Sequence, residues 1–108
     1  MIYELRTYNC VPGRMPEVLS RFPDHAMPLW RDLGIEFVGC WTTLVGESSQ
    51  QVIYLLAWDS LADREQKWSA FMNHPAWVAA RAETEANGPL VMFSTNQLLR
   101  PSSFSTLQ

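Results

Sequence analysis

Two charged residues lie two apart in the first extended segment of the chain, Ile2–Cys10 (IYELRTYNC): Glu4 and Arg6. Alternate residues of a strand share a face. Ile2, Glu4, Arg6, Tyr8 and Cys10 therefore point one way, and Tyr3, Leu5, Thr7 and Asn9 the other. An acid beside a guanidinium is either a poised catalytic carboxyl or a structural charge pair, and buried charge demands pairing in both cases. We assign Glu4 and Arg6 to structure. A second constellation comes later. Arg64 and Trp68 lie four apart in a helical stretch and so share one side of it, and His74 follows at its end. We place Tyr3, Asn9, Arg64 and Trp68 around one ligand-binding cleft between sheet and helix. Trp68 supplies a flat apolar wall, Asn9 a neutral donor and acceptor, and Arg64 a charge suited to an enolate, phenolate or carboxylate. His74 is the candidate acid–base, because imidazole changes charge near neutral pH. Two plainer readings stay open. Trp68 is also what core packing would place on a helical stripe, and Arg64 either snorkels to the edge or turns to a cavity or carboxylate.

Other chemistries find no support. The two histidines and two cysteines have no CxxC, HxH or HxxxH spacing, so no metal site is expected. Ser60 precedes a helix and reads as its cap rather than as a nucleophile. Gly34, Gly39 and Gly46 are too scattered to cradle a phosphate. No single spacing is a signature for one reaction.

These residues must be positioned by elements that the pattern makes visible. Ile35–Val45 and Gln51–Trp58 are rich in aromatic and β-branched residues, and Gly46–Gln50 between them supplies turn formers. Asp59-Ser60 ends the second strand and caps a helix from Leu61, with Asp63 in its first turn. Met15, Val18, Leu19, Phe22, Ala26, Leu29, Trp30 and Leu33 recur at helical spacing. Pro23 and Pro28 predict a kink or break near Arg21–Asp24, with Asp24 recapping the second piece, and Gly34 ends the helix. Leu61, Arg64 or Glu65, Trp68, Phe71 and Met72 form the inward stripe of the next helix. Asn73-His74-Pro75 breaks it, and a further piece runs from Ala76 to Asn87 with Trp77, Ala80 or Arg81, and Thr84 inward. Val91–Leu99 is the last strand, followed by an irregular tail. The order β-α-β-β-α-β predicts one α+β domain, residues 1–108: a ferredoxin-like fold with a four-stranded antiparallel sheet and helices on one face.

Such a sheet leaves its other face bare. We expect Trp41, Tyr8, Tyr54 and Trp58 there, an apolar patch too large for water. Two sheets packed face to face about a two-fold axis would cover it, giving a dimeric α+β barrel whose interior holds Glu4, Arg6, Tyr8 and Trp41. A homodimer is expected, with an oligomer of dimers compatible. At 108 residues the chain suffices for one core, and 47% hydrophobic residues argue against disorder. A net charge of −3 gives no electrostatic reason to expect nucleic acid or an anionic membrane. No apolar run approaches a membrane span and the first residues are strand-like rather than a signal peptide. Cys10 and Cys40 read as reduced thiols of a cytoplasmic protein.

The segments MIYELRTYNCVPG, GCWTTLVGE, VIYLLAWDSLADRE and LLRPSSFS together resemble the NIPSNAP family of dimeric α+β-barrel proteins over nearly the whole chain. The resemblance implies the fold and the dimer but names no reaction, and His74 departs from the family's pattern. Relatives by fold include cofactor-free monooxygenases, haem-degrading monooxygenases and muconolactone isomerases. Two functional classes follow. The first is a protein that binds or converts a small hydrophobic or aromatic compound in the cleft, and as an enzyme would be monooxygenase- or isomerase-like with no tight cofactor. The second is a non-enzymatic assembly module.

Overall fold

Val52, Tyr54, Leu56 and Trp58 alternate along one segment, and all four are buried. An uninterrupted row of that kind must lie against a helical layer. In the computed structural model, which describes residues 1–108, it does. The segment is β3 (Gln51–Trp58), flanked by β2 (Glu36–Thr42) and by β1 (Ile2–Cys10), while β4 (Val91–Leu99) lies beyond β1. The sheet order is β2-β3-β1-β4 with every pair antiparallel. This is the expected ferredoxin-like α+β arrangement.

Register then decides which set of β1 residues meets the helices. Ile2, Glu4, Arg6 and Tyr8 stand opposite Trp58, Leu56, Tyr54 and Val52, and so share their face. That overturns the expected assignment. Glu4, Arg6 and Tyr8 lie under the helices, while Tyr3, Leu5, Thr7 and Asn9 occupy the uncovered face. Of the residues expected on the uncovered face, Tyr8, Tyr54 and Trp58 are on the helix side, and Trp41, opposite Ile53, is where it was expected. Polarity alone favoured putting Tyr3 and Leu5 inward; the two charges are tolerated there because they are paired.

The first helical layer is continuous. α1 (Met15–Arg21) passes through a π-helical turn, Phe22–Ala26, into α2 (Met27–Leu33), and the Met27 N–H donates to the Phe22 carbonyl. Of the kink or break expected near Arg21–Asp24, no break occurs, and the irregularity there is the π-helical turn itself. A five-residue turn widens the spiral, giving the Pro23 and Pro28 rings room, so Asp24 lies within the helix instead of recapping it. Trp30 of α2 is the hub of the core, stacked 5.7 Å from the Tyr54 ring and 6.0 Å from Phe37. α3 (Leu61–Met72) starts as predicted, with the Asp63 N–H donating to Ser60 Oγ at 3.0 Å and the Asp63 carboxylate accepting from the Asp59 N–H. α4 (Pro75–Thr84) ends three residues short of the expected Asn87. β2 stops at Thr42, and Leu44 and Val45 stand out in solvent.

The helices cover β1, β2 and β3 but leave β4 exposed almost throughout. The opposite sheet face is uncovered too, with Trp41 54% exposed and lying over Gly39, where a Cβ would come within 2.8 Å of its ring. No helix is long and apolar enough to cross a membrane.

Gly34 closes α2 at φ +75°, its N–H donating to the Trp30 and Arg31 carbonyls. A Cβ there meets only Lys67 at 3.6 Å, so the cost of Gly34→Ala is conformational rather than steric. We expect a loss of about 1 kcal/mol in urea denaturation, with an unchanged fold by circular dichroism.

Candidate functional site

Burying a carboxylate is unfavourable unless its lone pairs are satisfied. Glu4 is 0% exposed, and five hydrogen bonds converge on it. Oε1 accepts from Arg64 Nε at 2.8 Å and Trp58 Nε1 at 3.1 Å. Oε2 accepts from Arg64 at 2.9 Å, Arg6 at 2.9 Å and Asn96 at 2.8 Å. Burial works to raise the pKa of this carboxyl. The hydrogen bonds from Arg64 and Asn96 and the charge of Arg6 outweigh it and lower the pKa to about 2. Arg64 thus turns to a carboxylate, one of the readings left open by the sequence.

Held by Glu4 on one side, Arg6 donates from Nε to the Tyr54 hydroxyl at 2.6 Å, and Tyr54 in turn donates to the Tyr8 hydroxyl at 2.8 Å. Burial, with Tyr8 adding to it, pushes the Tyr54 pKa well above its ordinary value, so Tyr54 keeps its proton and serves as donor. The Tyr8 O–H is left at the end of this relay with its own proton uncommitted. Tyr8 and Arg6 form the floor of a cleft of about 270 Å³ between β1, β4, α3 and α4. One wall is aromatic: Trp68 and Phe71 lie 5.2 Å apart, and Phe71 and Trp77 4.7 Å apart. Arg6 lies 4.5 Å over the Trp68 ring, and Arg21, 5.3 Å over Trp77. Arg81 and Glu85 of the α4 side complete the charged lining. Such a site can hold a flat ring against the wall and donate from Tyr8 to a carbonyl or oxyanion oxygen. No group of three or more His, Cys, Asp or Glu side chains could hold a metal ion.

The expected cleft residues are split by this geometry. Trp68 lines the cleft and Arg64 stands behind it on Glu4. Tyr3 and Asn9 are on the other face of the sheet, where the Tyr3 hydroxyl donates to the Gln108 carbonyl and Asn9 accepts from Gln51. Neither can meet a ligand beside Trp68. His74 is not in the lining either: it caps α4, its Nδ1 accepting from the Ala76 N–H at 3.1 Å. That bond commits the lone pair an acid–base would use. Of the residues expected inside a dimer barrel, Arg6 and Tyr8 instead form the cleft floor and Glu4 lies buried behind them, under the helices. Arg21, Trp77 and Arg81 went unassigned as site residues. Val18 and Arg21, and Trp77 and Arg81, are at helical spacing, but spacing does not show that these two helix sides face one another.

The sequence matches the NIPSNAP family over residues 3–106. No curated protein sequence matches it. Among solved structures, a NIPSNAP family protein from Agrobacterium tumefaciens is similar at 29% identity and a TM-score of 0.86, covering 99% of this chain and 98% of that one. An uncharacterised NIPSNAP domain protein from Burkholderia xenovorans is similar at 25% identity and a TM-score of 0.84, over 97% and 98% of the two chains. A MhuD variant with manganese protoporphyrin IX bound aligns at 19% identity and a TM-score of 0.58, over 94% of each chain, a likeness of fold alone.

Glu4 binds its proton more weakly folded than unfolded, since its pKa falls from 4.5 to about 2. Its stabilisation, on the order of 3 kcal/mol, is therefore complete above about pH 4.5 and is lost as pH falls through 2. Glu4→Gln leaves Arg6 and Arg64 without their counter-charge. We expect it to cost roughly 3–5 kcal/mol at neutral pH, and to flatten the acid limb of stability measured by urea denaturation at a series of pH values.

Proposed function

The chain belongs to the NIPSNAP family, and from that premise we propose that it binds a small hydrophobic, aromatic compound in the cleft above Arg6 and Tyr8. One observation carries this reading: an aromatic wall and an uncommitted hydroxyl converge on one cavity of about 270 Å³. That volume is just under the ~300 Å³ at which small-molecule sites begin, so the ligand is small. If the bound compound is converted, the Arg6–Tyr54–Tyr8 relay is the group positioned to stabilise an enolate or phenolate oxygen. The free thiols of Cys10 and Cys40 accord with a cytoplasmic setting.

The uncovered sheet face supports a second reading, assembly, compatible with the first. We propose that two copies pair through it as a dimeric α+β barrel. Trp41 at 54% and Leu99 at 40% exposure join Leu5, Ile53 and Leu55 on this face, an apolar surface of the kind that a second copy buries.

A thermal-shift screen of small aromatic compounds tests the binding. Hits should raise the melting temperature of the wild type, and Trp68→Ala, which removes one ring of the wall, should weaken them about tenfold or more. Undiminished binding by that variant would remove the cleft from consideration. For assembly, light scattering at micromolar concentration should give twice the chain mass, and Trp41→Arg should shift it toward the monomer. A wild-type monomer under those conditions would sink the barrel.

A further inference from the structure

Among all buried side-chain polar atoms, three have no hydrogen-bond partner, and all three are donors: Arg21 Nη1, Trp30 Nε1 and Trp77 Nε1. They are not scattered. A small void of about 10 Å³ beside the cleft is lined by Arg21, Trp30 and Trp77, and Arg21 and Trp77 line the cleft itself. Buried donors without acceptors are rare in folded proteins and costly to maintain, so a cluster of them points to an acceptor brought from outside. Arg21 is 6% exposed, and the nearest carboxylate, Glu85, stops at 3.7 Å from Nη1, beyond hydrogen-bond reach. The cleft as a whole is lined by Arg6, Arg21 and Arg81 against Glu85 alone. Arg6 shares Glu4 with Arg64, so that the inner charge group also carries an excess of positive charge. This is a cationic pocket in a chain whose net charge is −3.

We infer that the ligand of this cleft is an aromatic carboxylate, its ring held against Phe71 and Trp77 and its carboxylate taken by Arg21. The inference rests on the proposed binding of an aromatic compound here and adds the anionic group. The chemistry fits the parts. A guanidinium offers a planar fork to a carboxylate, and Arg21 is already oriented by its stack on Trp77. Partial desolvation strengthens the pairing, and a carboxylate offers Nη1 the charged acceptor that Glu85, at 3.7 Å, does not bring within hydrogen-bond distance, whereas a neutral amide offers only an uncharged one. Glu85 is the one group that opposes an anion, and it faces the same guanidinium.

Matched pairs of probes separate the two levels of the argument. Benzoate, 2-naphthoate and indole-3-acetate are titrated calorimetrically against their primary amides, with the wild-type protein at low salt. The carboxylates should bind about tenfold or more tightly than the amides, as expected for one charged hydrogen-bonded pair. Arg21→Gln should bring each pair to parity while sparing amide binding. Because a buried arginine is replaced there, Glu85→Gln provides an independent variant at a half-buried site: it should tighten the carboxylates severalfold and leave the amides unchanged. Amides binding as tightly as carboxylates to the wild type would overturn the anionic ligand and leave the aromatic cleft standing. No binding by either set at millimolar concentration would overturn both. Discrimination that persists in a folded Arg21→Gln protein, or a Glu85→Gln protein with unaltered carboxylate affinity, would overturn the assignment to Arg21.

Discussion

The buried carboxylate of Glu4 is the constraint on which the rest of this structure depends. It accepts from β3 through Trp58, from β4 through Asn96, from α3 through Arg64 and from its own strand through Arg6. Few other contacts join so many elements at one point. Satisfying all its lone pairs offsets much of the desolvation that burial imposes, and makes the arrangement specific, since no neutral group accepts five such bonds in the same geometry. The β4 contact matters most for shape. That strand is nearly uncovered by helices, and Asn96 ties its helix-side face to the centre of the molecule.

The same carboxylate organises the cleft without lining it. By fixing one side of the Arg6 guanidinium it directs Nε to Tyr54, and Tyr54 then has only its proton to offer Tyr8. A structural ion pair is in this way continuous with the hydroxyl that lines the cleft. The relay supplies a fixed donor in a partly desolvated site, of the kind that serves binding and oxyanion stabilisation alike.

The π-helical turn has a comparable role on the other side. α1 ends with Arg21, and the turn that follows carries Phe22, whose ring packs 5.0 Å from Tyr54 and 6.1 Å from Tyr8. The wide turn keeps one helix running where two prolines would otherwise interrupt it, and Arg21 sits at the junction, buried against Trp77. Irregular helical turns often occur at functional sites, because they re-aim a side chain without ending the helix. Here the turn begins directly after the arginine that lines the cleft.

Much of the fold was legible in the sequence because local chemistry acts within a few residues. The alternation in Gln51–Trp58, Ser60 as a cap, the Gly34 stop and the order of elements all follow from short-range patterns, and the NIPSNAP resemblance agreed with them. The site was less legible. Parity separates Glu4, Arg6 and Tyr8 from Tyr3 and Asn9, yet it is symmetric: it cannot say which set faces the helices. Register with β3 decided that, together with the arrival of Arg64 from sixty residues away to neutralise Glu4. His74 showed the same limit, since its residue type suggested proton transfer while its place before Pro75 made it a cap. Trp68 was found because helical spacing put it on the inward side; Arg21 and Trp77 were not, because their meeting depends on how two helices cross. The sequence by itself determined which residues share a strand face or a helix side, for that is set by backbone geometry. Only the tertiary structure decided which faces meet, for that depends on pairing charges and burying rings between segments far apart in the chain.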